Sequence, residues 1–100
     1  MALLGRRYDA RTLERWNVIN RVVPDDKLAD VTATLAQELA NGPTIALSLI
    51  RKLYWYSPEK SFEEQLNLEF ESQRVAGAAE DFKEGVTAFL EKRPAKFKGK

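Results

Sequence analysis

Ser61-Phe62-Glu63-Glu64-Gln65-Leu66-Asn67-Leu68-Glu69-Phe70 is the stretch that decides the fold. Ser61 and Glu64 have the spacing of a capping box, in which each side chain accepts a hydrogen bond from the other residue's backbone N–H. Behind it Phe62, Leu66, Phe70 and Gln73 share one face of a long helix reaching about Gly77. Downstream, Glu80 and Asp81 open another helix, their carboxylates matching its positive end. Its apolar residues Phe82, Val86, Phe89 and Leu90 are predicted to point inward, and Pro94 ends it. Upstream, Ser57-Pro58 closes a helix that carries Ile45, Ala46, Leu49, Ile50 and Leu53 before the aromatic run Tyr54-Trp55-Tyr56. Asn41-Gly42-Pro43 separates that helix from an earlier one, opened by Asp25 and Asp26, in which Leu28, Val31, Leu35 and Leu39 recur.

The start of the chain is less regular. Asp9 is a good N-cap for a short helix running to about Trp16, and Asn17 suits the left-handed turn that closes a helix. Val18-Ile19-Asn20-Arg21-Val22-Val23 is β-branched and predicts a brief strand, ended by Pro24. The expected fold is all-α, about five amphipathic helices with one short extended segment. Residues 1–24 read as a connector helix and short strand, 25–94 as a helical bundle, and 95–100 as a basic tail.

Composition narrows the chemistry. With 44% hydrophobic and 31% charged residues the chain reads as a soluble globular unit. The formal net charge of +1 provides no global field for nucleic acid or anionic lipid. There is no cysteine, hence no disulfide, thiol nucleophile or thiolate metal site, and no metal is expected. There is no histidine either, so acid–base chemistry would have to use Glu, Asp, Lys or Tyr. Met1-Ala2-Leu3-Leu4, interrupted by Arg6-Arg7, is too short for a signal peptide, and no apolar run approaches a membrane span. A cytoplasmic location is the expectation.

The charge is unevenly spread. Arg6, Arg7, Arg11, Arg15 and Arg21 make the start basic, and Lys92, Arg93, Lys96, Lys98 and Lys100 make the end basic. At that end Phe89 and Phe97 place flat rings beside cations, an arrangement that suits a ligand with an aromatic base and a phosphate. Most basic tails, however, are only solvated chain ends. Glu63 and Glu64, Glu69 and Glu71, and Glu80, Asp81 and Glu84 lie close in sequence, yet helix neighbours point apart, and a solvated or capping role is expected for them. Tyr54-Trp55-Tyr56 reads as packing rather than an acyl pocket, and Arg6-Arg7 as surface. So many apolar faces on 100 residues point to a portion of something larger, or to an oligomer.

Four stretches carry a resemblance. Gly5-Arg6-Arg7-Tyr8-Asp9-Ala10, Trp16 to Pro24, Glu80 to Val86 and Ala88 to Pro94, in that order and spacing, closely resemble the C-terminal third of the enoyl-CoA hydratase/isomerase (crotonase) family. Asn17 stands where that family usually has Gly, and Leu4 where Thr commonly precedes the Gly. Met1 leaves open a native start or a truncated one. The resemblance implies helices that pack against an N-terminal domain and build trimer contacts. It implies that the catalytic glutamates and oxyanion amides lie upstream of the Gly-Arg-Arg motif, so no catalytic residue is assigned within the chain.

By the same resemblance, Phe89 and Lys92 match positions that contact the adenine and 3′-phosphate of coenzyme A bound mainly by a neighbouring subunit, with Arg93, Lys96 and Phe97 as weaker additions. The implied parent activity is syn-hydration of a 2-enoyl-CoA, with enoyl isomerisation close behind. No cofactor is required beyond the coenzyme A moiety of the substrate. The implied partners are the acyl-CoA, the N-terminal domain, and further copies as a trimer or dimer of trimers. Whether the chain alone acts as an enzyme is left open, since it lacks the family's catalytic residues. The contrasting reading is a non-catalytic helical module that only associates. An RNA-binding fragment rests on the basic tail alone, without an aromatic–basic sheet motif, and nucleic acid and membrane partners are not expected.

Overall fold

The computed structural model describes residues 3–100, and the question of Met1 lies outside them. Helix α1 is Ala10–Arg15, α2 Leu28–Ala40, α3 Thr44–Tyr56, α4 Phe62–Ala78 and α5 Glu80–Leu90. Single 3-10 turns, Asp25–Lys27 and Ser57–Glu59, precede α2 and follow α3. Internal contacts divide the chain into one unit ending at Ala33 and a second, Thr34–Lys100, the division falling within α2.

In the first unit the local signals act as read. Asp9 accepts from the Thr12 N–H at 2.8 Å, and this bond above all holds its carboxyl below the usual range. Asn17 adopts φ +56°. The Asn17 N–H donates to Glu14 O and the Val18 N–H to Leu13 O, the paired bonds of a Schellman closure. The tyrosine and tryptophan of this unit, Tyr8 and Trp16, meet edge to face with ring centroids 4.9 Å apart. The expected short strand does not form: residues 18–20 bend, 21–24 have no regular structure, and no strand occurs among the described residues. A β-branched run needs a partner strand to pair with, and here the Val22 N–H bonds the Glu14 carboxylate at 2.8 Å instead. Asp25 and Asp26 form the 3-10 turn rather than the first α-turn.

In the second unit α3 packs on α4 and α4 on α5. Pro43 is the N-cap of α3, one residue before the helix. Both arms of the capping box are present at α4, Ser61 N–H to Glu64 Oε2 at 2.8 Å and Glu64 N–H to Ser61 Oγ at 3.2 Å. The apolar faces exist but are open. Phe62, Leu66 and Phe70 on α4, Tyr54 and Trp55 on α3, and Phe82, Val86, Phe89 and Leu90 on α5 are all exposed. Ala88, at 2% exposure, is the buried apolar residue among those described. The inward orientation expected for the α5 apolar residues is therefore wrong for this chain. The 3.6-residue period defines a face, while what covers that face depends on the rest of the molecule.

Candidate functional site

The richest chemistry gathers around α5 and the residues after it. Ala79, extended at ψ 150°, starts the helix without a side-chain cap. Asp81, in the first turn, does not cap it. It is only 4% exposed and accepts from the Lys98 N–H at 2.7 Å and the Gly99 N–H at 2.8 Å. Its own N–H donates to Lys100 O at 3.0 Å. One turn on, Glu84 accepts from Nη1 and Nη2 of Arg93 at 2.7 and 3.0 Å, and from the Lys96 N–H at 2.7 Å. The guanidinium first, and then that amide, hold the Glu84 carboxyl down at about 2. The tail is thus folded back along α5 and tied to it by two carboxylates, where a solvated end was expected.

The end of α5 has a defined form. The Lys92 N–H donates to Phe89 O and the Arg93 N–H to Ala88 O, a second Schellman closure. Its left-handed residue is Lys92, at φ +53°, a conformation that costs an L-residue about 1–2 kcal/mol and that glycine adopts freely. Phe89 and Lys92 do not share a helical face, because α5 ends at Leu90. They are linked by the backbone bond of the turn instead. Phe89 is 83% exposed, and among the described residues no carboxylate pairs with Lys92. Arg93 is occupied by Glu84 and by Glu91, whose Oε2 lies 2.6 Å from its Nε. It is therefore a structural cation, not a free one.

An apolar groove of about 390 Å³ opens beside this turn. Ile45, Phe82, Val86, Phe89, Leu90 and Phe97 line it, and the Phe97 ring lies against α5 at Gly85. The structure thus brings Phe89 and Phe97 to one groove, with Lys92 in the turn following Phe89. Asp81 and Glu84, which shape this end, were missed by sequence reasoning. Asp81 is held by the amides of Lys98 and Gly99, and Glu84 by the Arg93 guanidinium and the Lys96 amide, partners nine to eighteen residues away that no local spacing rule reveals. Among the described residues no group of three His, Cys, Asp or Glu side chains could hold a metal, and no helix is long and apolar enough to cross a membrane.

The family model described as enoyl-CoA hydratase/isomerase matches residues 1–100. The chain belongs to the enoyl-CoA hydratase/isomerase family. It is 42% identical over its whole length to the 1,2-epoxyphenylacetyl-CoA isomerase of Escherichia coli K12, covering 38% of that protein. It is 31% identical, again over its whole length, to the trans-2-decenoyl-[acyl-carrier-protein] isomerase of Streptococcus mutans, of which it also covers 38%. Among solved structures, an enoyl-CoA hydratase subunit of Geobacillus kaustophilus superposes with a TM-score of 0.89 at 38% identity, over 96% of this chain and 37% of that one. The all-helical architecture is accordingly part of the crotonase fold. The chain spans under two-fifths of the length of these enoyl-CoA hydratase/isomerase relatives.

Proposed function

We propose that this chain is the C-terminal helical region of an acyl-CoA enzyme of the family, one that hydrates a 2-enoyl-CoA. In this reading the chain contributes subunit contacts and part of the coenzyme A site, and the catalytic carboxylates and oxyanion donors lie in the portion it does not span. The observation that carries it is the end of α5. An exposed Phe89 ring at an apolar groove stands next to a turn that presents an unpaired Lys92, while Arg93 is tied down. A ring face suits adenine, and a mobile ammonium suits a phosphate beside it. The relatives' names fit a thioester substrate.

The test is a chimaera in which this chain replaces the matching residues of the Escherichia coli isomerase. Turnover of that enzyme's own CoA thioester by the chimaera supports the reading. So does a Lys92→Ala chimaera whose KM rises several-fold for CoA thioesters with kcat little changed, because a remote phosphate contact is similar in ground and transition states. A 3′-dephospho substrate is the control: equal weakening of both substrates, or of neither, removes Lys92 from the phosphate. The isolated chain should be inert toward crotonyl-CoA, since in this reading the base and the oxyanion donors lie in the portion it does not span. Hydration at a thousandth of the rate typical of such enzymes would overturn that.

A second reading, a non-catalytic association module, is favoured by the open apolar faces of α3, α4 and α5. An inactive chimaera that still assembles would favour it.

A further inference from the structure

Helix α5 closes on a residue whose conformation is disfavoured. Lys92 holds φ +53° at the position of a Schellman closure that glycine usually takes. From the helix side, two backbone bonds hold the turn, Lys92 N–H to Phe89 O at 3.2 Å and Arg93 N–H to Ala88 O at 3.0 Å. From the other side, the chain leaving Lys92 is held by one carboxylate. Glu84 grips both terminal nitrogens of Arg93 and also the Lys96 N–H. The next residue after Lys92, and one further along, are thereby fixed to α5 itself. Charge-assisted bonds of this two-pronged kind are short and directional. They can hold a turn that its own torsion preferences would open.

We propose that Glu84 is a positioning residue for Lys92. It keeps the left-handed turn shut through Arg93 and Lys96, so that the Lys92 side chain leaves the helix end from a fixed point next to Phe89. The functional meaning of that placement rests on the reading of Lys92 as a phosphate contact, whereas the placement itself is tested separately. Arg93 follows Lys92 directly and looks like a second ligand-binding cation. In this arrangement it is the link through which Glu84 acts.

The experiment is amide hydrogen exchange of the full chain, resolved to single residues by electron-transfer mass spectrometry. It compares wild type, Glu84→Gln, Lys92→Gly and the double variant. Glu84→Gln should speed exchange at Lys92 and Arg93 several-fold. In the Lys92→Gly background the same change should have little effect at those two amides, because glycine needs no holding. The Lys96 amide, which loses its acceptor directly, should speed up in both backgrounds. Equal acceleration of residues 92 and 93 in both backgrounds would show Glu84 merely pinning the tail, and no acceleration in either would also overturn the proposal. Protection within α5, around Ala88, shows whether the helix survives. If Glu84→Gln loses it, Glu84→Asp, which keeps the charge but shortens the reach, carries the same comparison. In the chimaera, Glu84→Gln should raise KM for the CoA thioester but not for its 3′-dephospho analogue, and should add nothing to Lys92→Ala. If Lys92→Ala itself does not discriminate these substrates, the phosphate reading falls while the exchange cycle still decides the positioning.

Discussion

Glu84 and Arg93, nine residues apart, meet in a two-pronged ion pair at 2.7 and 3.0 Å, and the same carboxylate takes the Lys96 amide. The pair makes the fold of the tail sensitive to acid. With its carboxyl at about 2 against an ordinary 4.5, Glu84 binds its proton less readily when folded than when unfolded. Its contribution is therefore fully present above about pH 4.5 and is lost as pH falls toward 2. Amide exchange at Lys96, corrected for intrinsic rates, should accelerate across that interval, and in Glu84→Gln the acceleration should vanish. An unchanged profile in the variant would assign the acid response to another carboxylate.

Two glycines of the clasp should respond oppositely to the same substitution. A Cβ at Gly85, inside α5, would lie 3.5 Å from Phe97 Cε1, an ordinary contact. Gly85→Ala should therefore stabilise by about 0.5–1 kcal/mol through helix propensity. Gly99 sits at φ +72°, and a Cβ there would come within 2.7 Å of Thr44 Oγ1. Gly99→Ala should loosen the tail from Asp81. Urea unfolding followed by circular dichroism checks the first, and exchange at the Lys98 amide the second.

Phe89→Ala and Lys92→Ala should each change the stability of the isolated chain by less than about 0.5 kcal/mol. Both side chains are exposed and away from the buried contacts. A loss of several kcal/mol on Phe89→Ala would mean that the ring packs against something this chain itself provides.

The isolated chain should self-associate or pack loosely, given the apolar side chains open on α3, α4 and α5. Light scattering that finds a compact monomer at high concentration, with sharp two-state melting, would count against the missing-portion argument.

What was legible in the sequence was local. Asp9, the Ser61–Glu64 box and the left-handed Asn17 act within a turn or so of themselves, so their spacing suffices to place helix ends. Lys92 as the left-handed residue of α5 was not legible, because lysine has no preference for that conformation. The orientation of Phe89 failed for a different reason: periodicity defines a face but not what packs on it, and among the described residues nothing buries this ring. The predicted strand failed likewise, since Val18 to Val23 had no neighbour to pair with. The tail clasp joins Asp81 to residues seventeen and eighteen positions later, and nothing in either segment alone signals the other.

That Ala88 is the one buried apolar residue among those described has a calorimetric consequence. Heat capacity and denaturant sensitivity both follow the apolar surface that unfolding newly exposes, and in this chain many of the large apolar side chains already face water. Unfolding the chain by itself should show a heat-capacity step well below the roughly 1.2–1.5 kcal/mol/K usual for a domain of this length, with a shallow urea slope. Any partner that covers these helices should bring that heat capacity back on association, with negative sign.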